Sequence, residues 1–155
     1  MSGKEIPAFM IAGGRPFSPA AIARTISNAF LGLQKPTVAY IGTANGDNLL
    51  FFQMNKSILK KAGAGKVNFV RLAKINPDLD AARKTIANAD VVYLSGGEVE
   101  EGIIWLEKHD LTGFLKELYS QGKRFLGISA GVIMMGTHWV HWDIEGDDNT
   151  ARLFD

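Results

Sequence analysis

Apolar residues along this chain come in two rhythms. Short apolar runs alternate with longer stretches in which apolar positions recur at helical spacing. Ala8 to Ala12 is a short run closed by Gly13-Gly14, which predicts a buried strand. Ser18-Pro19 then supplies a cap and a proline at the first helical position. Ile22, Ile26 and Phe30 place one apolar face on that helix. Thr37 to Ile41 predicts a second strand. Asp47 or Asn48 can cap a second helix with Phe51, Met54, Ile58 and Leu59 turned inward, stopped by Gly63.

The same rhythm continues. Val67 to Leu72 predicts a third strand, and Asn76-Pro77 opens a helix with Leu79, Ala82 and Ile86 on one face. Val91 to Leu94 predicts a fourth strand ending in Ser95-Gly96-Gly97. A short helix runs through Ile103, Ile104 and Leu106. Asp110 caps another, on which Leu111, Phe114, Leu115, Leu118 and Tyr119 keep strict helical spacing. Arg124 to Ile128 predicts a fifth strand, with a helix from Ala130. Strands alternating with helices predict an α/β fold: a doubly wound, flavodoxin-like parallel sheet with helices on both faces. Past Gly136 the rhythm breaks into an extended segment, His138 to Ile144, and a turn, Glu145 to Asn149.

Composition narrows the function classes. The chain has 155 residues, 17 Lys+Arg against 16 Asp+Glu, and no cysteine. That length suits a single domain, 1–155. Disulfides, thiolate metal sites and cysteine nucleophiles are excluded. A net charge of +1 gives no reason to expect nucleic acid. Neither a signal peptide nor an apolar run long enough for a membrane span is present, so a cytoplasmic location is the expectation.

Ligands of open parallel sheets sit outside the carboxyl ends of the strands. Four strand exits are glycine-rich or polar: Gly13 to Arg15, Gly42 to Asn45, Ser95 to Glu98, and Ser129 to Gly131. The last belongs to Gly127-Ile128-Ser129-Ala130-Gly131, a G-x-S-x-G pattern between an apolar strand and a helix. That pattern suits a nucleophile elbow, in which small residues let strand and helix approach while the serine is held out on a strained backbone. An acyl-transfer site also needs N–H donors at the developing oxyanion. Ala130 and Gly97 can supply them. A branched side chain at Gly97 is then expected to harm turnover more than stability.

Three segments together resemble the dipeptidase E and cyanophycinase family of serine peptidases. They are Ile41-Gly-Thr-Ala-Asn45, Ala89 to Gly97, and Gly122 to Gly131. The fold of that family is similar to class I glutamine amidotransferases, whose elbow carries cysteine. The resemblance implies that Ser129 is the nucleophile and that Gly97 and Ala130 form the oxyanion hole. The family's preference for aspartyl substrates implies a cationic rim residue, for which Arg15 is the candidate, and Glu98 is the other candidate for substrate binding. The family often has Asn or Asp at the position of Glu98, and Pro at that of Gly42. Its acidic triad member follows the elbow, which points to Glu145 or Asp143. Its histidine lies farther along than Asp155, so the C-terminal part of the family's domain is expected to be missing.

Of the histidines in hand, His138 and His141 follow a helix expected to span two turns from Ala130, and both read as ordinary strand residues. His109, beside a helix cap, reads as solvated. Trp105, Trp139 and Trp142 read as packing or subunit contacts. The function expected is therefore serine-type hydrolysis of small peptides through an acyl-enzyme on Ser129, with no cofactor and no metal. A catalytically silent binding protein and a small-molecule esterase are the alternatives. An exposed Trp139 to Trp142 strand would invite pairing, so a homo-oligomer is possible.

Overall fold

The computed structural model describes residues 8–12, 18–142 and 151–154, with backbone alone for 141–142 and 151–154. Its strands are β1 (Ala8–Ile11), β2 (Thr37–Ile41), β3 (Lys66–Val70), β4 (Val91–Leu94), β5 (Arg124–Ile128), β6 (Trp139–Trp142) and β7 (Ala151–Phe154). Its helices are α1 (Pro19–Asn28), α2 (Leu49–Lys61), α3 (Leu79–Asn88), α4 (Val99–Lys108), α5 (Thr112–Ser120) and α6 (Ala130–Ile133).

Strands β1 to β5 form one parallel sheet in the order β1-β5-β4-β2-β3. Successive side chains on a strand face opposite sides, so a strand buried on both faces must be apolar throughout. The central strands meet that demand. Val38, Tyr40, Val91 and Tyr93 pack with Ile26, Phe52 and Leu59 of α1 and α2. Ala39, Ile41, Val92 and Leu94 pack with Ile86, Leu106, Leu115 and Leu118 of α3, α4 and α5. The sheet is thus covered by helices on both faces, as the sequence rhythm predicts.

Caps fix where the helices start. The Ser18 side chain accepts the Ala21 N–H at the start of α1. Asn48 accepts the Phe51 N–H at 2.9 Å and opens α2. Starting there turns Phe52 and Leu59 inward and leaves Met54 61% exposed, correcting the expectation for Met54. Helix α3 is opened by Asp78, whose carboxylate accepts the Ala81 N–H, and not by Asn76-Pro77. Asp110 caps nothing with its side chain; it takes a left-handed φ of 51° between α4 and α5.

The connections decide where a site can form. From β2 the chain crosses through α2 to the outer strand β3; from β4 it crosses through α4 and α5 the other way, to β5. The crevice at the carboxyl ends of β2 and β4 is therefore the topological switch point, where such sheets open for ligands. β5 ends beside it, in Ser129.

The extended segment after Gly136 is present as β6. It pairs antiparallel with β7, Trp139 opposite Phe154 and Trp142 opposite Ala151, so its partner is in its own chain. The turn expected at Glu145 to Asn149 lies outside the described residues. Helix α6 is a single turn, shorter than the two turns expected.

Candidate active site

Ser129 stands at φ 53° and ψ −120°, a region that a residue with a side chain seldom occupies. Its surroundings hold it there. Its N–H donates to the Ile11 carbonyl at 3.1 Å, and its carbonyl accepts the Val132 N–H at 2.8 Å. The small residues on either side permit the approach. A Cβ at Gly131 would lie 2.0 Å from the Leu94 carbonyl oxygen, and one at Gly127 would lie 2.7 Å from the Gly131 oxygen. Both distances are far inside van der Waals contact, so β4, β5 and α6 can meet only with glycine at these points. Ser129 itself is exposed, while Ala130 is buried beneath it.

The turn after β4 is as tightly specified. Gly97 has φ 145°, and a Cβ there would lie 1.9 Å from the Ala44 carbonyl oxygen. A branched side chain at Gly97 is therefore expected to cost stability as well as turnover, because backbone occupies the space. Gly96 faces Ser129: its Cβ would stand 3.3 Å from Ser129 Cβ and 3.8 Å from Oγ. The Glu98 N–H donates to the Ala44 carbonyl at 2.6 Å, which seats the start of α4 on the 3₁₀ turn Thr43–Asn45. Ser129, Ala130, Gly97 and Glu98 thus come together along one cleft of about 630 Å³. Arg15, Asp143 and Glu145 lie outside the described residues.

Other groups line or support this cleft that the sequence did not assign to the site. Trp105 of α4 and Trp139 of β6 are walls of it, with Ile104 and Ile133 between them. The β6 backbone thus returns to the Ser129 side of the molecule, made possible by the shortness of α6. Glu100 and Glu101 join Glu98 on the wall formed by the first turn of α4. Acidic residues there complement the positive end of the helix.

Beneath the rim lies a polar cluster. Asn45 donates through Nδ2 to Ser95 Oγ at 2.7 Å and to the Gly96 carbonyl at 2.9 Å. Its Oδ1 accepts the Asn48 N–H at 3.1 Å. The Tyr40 hydroxyl faces Ser95 and Asn45, and burial pushes its pKa above the usual phenol value. Tyr40 stacks on Tyr93, whose hydroxyl donates to Asn55 Oδ1. Asp47, at φ 54°, accepts the Ala73 N–H through Oδ2 at 2.7 Å. Burial raises its carboxyl above the usual range, against the opposing pull of the Ala73 and Leu72 amides and of Arg71 and Lys74. The signal for Asn45 was present in the sequence as a polar strand exit, but spacing alone gives no partner for it.

The histidines divide. His109 is buried at 5% exposure, which corrects the expectation that it is solvated. Its Nε2 lies 2.9 Å from the Leu72 carbonyl and 3.0 Å from that of Lys74, so this nitrogen carries the proton. Its ring stacks on Trp105. It ties the end of α4 to the chain after β3, a structural duty. His138 is exposed, with Nδ1 at 2.8 Å from Thr137 Oγ1. Among the described residues, no three His, Asp or Glu side chains converge as metal ligands would. None of the described helices is long and apolar enough to cross a membrane.

Comparison with known proteins bears on the fold and the family. No curated protein matches the chain. A solved structure assigned as a peptidase E protein from Listeria monocytogenes EGD-e superposes with a TM-score of 0.65 at 22% identity, covering 80% of this chain and 58% of its own. A peptidase from an acI-B1 Actinobacterium superposes with a TM-score of 0.60 at 18% identity, covering 86% of this chain and 58% of its own. The chain therefore spans less than two thirds of the length of either. The profile of peptidase family S51 matches residues 9–152. With the match running over nearly its whole length, the chain belongs to peptidase family S51.

Proposed function

We propose that this chain carries the nucleophile and oxyanion hole of a serine peptidase acting on small peptides. The observation that carries the reading is the Ser129 backbone, at φ 53° and ψ −120°, held between glycines that admit no side chain. Backbone strain of this kind persists where the surroundings over-determine it, and it collects at reactive residues.

In this reading Ser129 Oγ attacks the scissile carbonyl carbon and its proton passes to a histidine base. The N–H groups of Ala130 and Gly97 stabilise the oxyanion that forms. The C–N bond then breaks, the amine leaves with the base's proton, and an acyl ester remains on Ser129. Water, deprotonated by the same base, hydrolyses that ester and restores the serine. Of the histidine side chains described, His109 lies against the Leu72 and Lys74 carbonyls and His138 against Thr137 Oγ1, so neither is assigned as the base.

The test is reaction of the folded protein with a fluorophosphonate probe. One label per chain, lost in Ser129→Ala, is the expected result. Stoichiometric label that survives Ser129→Ala would place the nucleophile elsewhere, and no label at all would favour a silent binding protein.

The walls of the cleft bear on the choice of substrate. An aspartyl preference requires a cation near Ser129, and Arg15 is the residue the sequence offers for it. The described walls carry Glu98, Glu100 and Glu101 with Trp105 and Trp139, and no Lys or Arg. These walls favour peptides with a positive charge and a flat or apolar side chain over acidic ones.

A further inference from the structure

The peptide unit between Gly96 and Gly97 has an unusual position. Its N–H is the one the proposed oxyanion hole uses. The chain around it is tied to the β2 side: the Glu98 N–H, in the next unit, donates to the Ala44 carbonyl at 2.6 Å, and the Ser95 N–H, two units back, donates to the Ile41 carbonyl at 3.1 Å. The Gly96–Gly97 unit joins two residues without a Cβ, so no side chain of its own resists its rotation. Among the described residues, the Gly97 N–H donates to no backbone carbonyl. What holds the unit is at its other end, where the Gly96 carbonyl accepts from Asn45 Nδ2 at 2.9 Å.

A trans peptide is planar, and its C=O and N–H point in opposite directions. A bond that fixes the Gly96 carbonyl toward Asn45 therefore fixes the Gly97 N–H away from Asn45. We infer that Asn45 is a positioning residue for the oxyanion hole, a lock that keeps the Gly96–Gly97 unit from flipping; this rests on the serine-peptidase reading above. Asn45 is itself braced, since Nδ2 also donates to the buried Ser95 hydroxyl at 2.7 Å and Oδ1 accepts the Asn48 N–H at 3.1 Å. With a flipped unit, a carbonyl dipole would meet the oxyanion where an N–H should. That costs transition-state stabilisation while leaving the walls that bind the ground state unchanged.

The discriminating variant is Asn45→Asp. It keeps an oxygen for the Asn48 N–H but loses the amide donor and sets a carboxylate against the Gly96 carbonyl. Fluorophosphonate labelling is followed over a range of probe concentrations, with the Gly97 amide resonance read in a ¹H–¹⁵N spectrum and folding checked by thermal melting. The expected result is a fall of about tenfold or more in the limiting labelling rate, with half-saturating probe concentration within about twofold of wild type. The Gly97 amide resonance is expected to move. An unchanged limiting rate in folded Asn45→Asp, or an unmoved Gly97 resonance, overturns the inference. If Asn45→Asp does not fold, Asn45→Ser, which retains a hydroxyl donor and acceptor on a shorter side chain, is read by the same two measurements. If wild type takes no label at Ser129, the serine-peptidase reading falls, and the Gly97 resonance alone decides whether Asn45 sets that peptide.

Discussion

At the scale of the residue, the rim is governed by atoms that are absent. Gly97 admits no Cβ, because the Ala44 carbonyl oxygen would stand 1.9 Å away and φ is 145°. Gly97→Ala should therefore lower stability by about 2–4 kcal/mol in urea unfolding, the range of strained backbone and overpacking combined. A variant as stable as wild type would show that the turn relaxes freely. Asp47 gives a pH-dependent counterpart. Burial raises its folded pKa, and its Oδ1 is buried without a hydrogen-bond partner among the described residues. The folded state thus keeps this proton to higher pH than the unfolded chain does. The associated stability is fully present below the ordinary carboxylate range and is lost as pH rises through the raised folded value. Asparagine tolerates the left-handed backbone at Asp47 and keeps an oxygen for the Ala73 N–H. Asp47→Asn should consequently gain on wild type, in melting experiments, as pH goes from about 3 to about 7. A difference that stays flat, or narrows in the other direction, would contradict the burial argument.

Elements show where sequence reading succeeds and where it stops. Strands β1 to β5 were legible because burial on both faces forces continuous apolar runs, and the Ser18 and Asn48 caps were legible because their side chains act locally. The face of α2 was misread at Met54, since one residue's change in the starting point turns a helix by about 100°. His109 was misread because nothing near it in sequence reveals the Leu72 and Lys74 carbonyls that bury it. Strand β7 carries no pattern strong enough to announce it; pairing with β6 defines it. The meeting of β4, β5 and α6 at Gly131 was legible as a motif, but its tightness was not. A Cβ there would sit 2.0 Å from the Leu94 oxygen and 3.0 Å from that of Ser95. Gly131→Ala should push α6 off β4, destabilise the fold by about 2 kcal/mol or more, and abolish labelling of Ser129 even where the variant folds. Retained labelling at the wild-type rate would mean that α6 can shift without disturbing the serine.

Charge is the property on which whole molecule and site disagree. The chain as a whole is nearly balanced at +1, so it exerts little long-range pull on a substrate of either sign. The described walls of the Ser129 cleft, in contrast, hold three glutamates on one helical turn and no Lys or Arg. The positive end of α4 offsets part of that charge, by roughly half an elementary unit, and Glu100 has an interaction of its own, so the acidic character of the wall rests on Glu98 and Glu101. On the proposed reading, a peptide entering the cleft is expected to meet this acidic wall. Competition by short peptides against fluorophosphonate labelling reads this directly. Lysyl or arginyl peptides should compete more strongly than aspartyl peptides of the same length, by about tenfold at low salt, one local ion pair's worth. The advantage should shrink as salt rises from about 20 to about 300 mM, because exposed charges are screened over a shorter length. Glu98→Gln with Glu101→Gln should remove most of it without changing the labelling rate in the absence of peptide. Stronger competition by aspartyl peptides would reverse the sign of the site and return the substrate's anchor to Arg15.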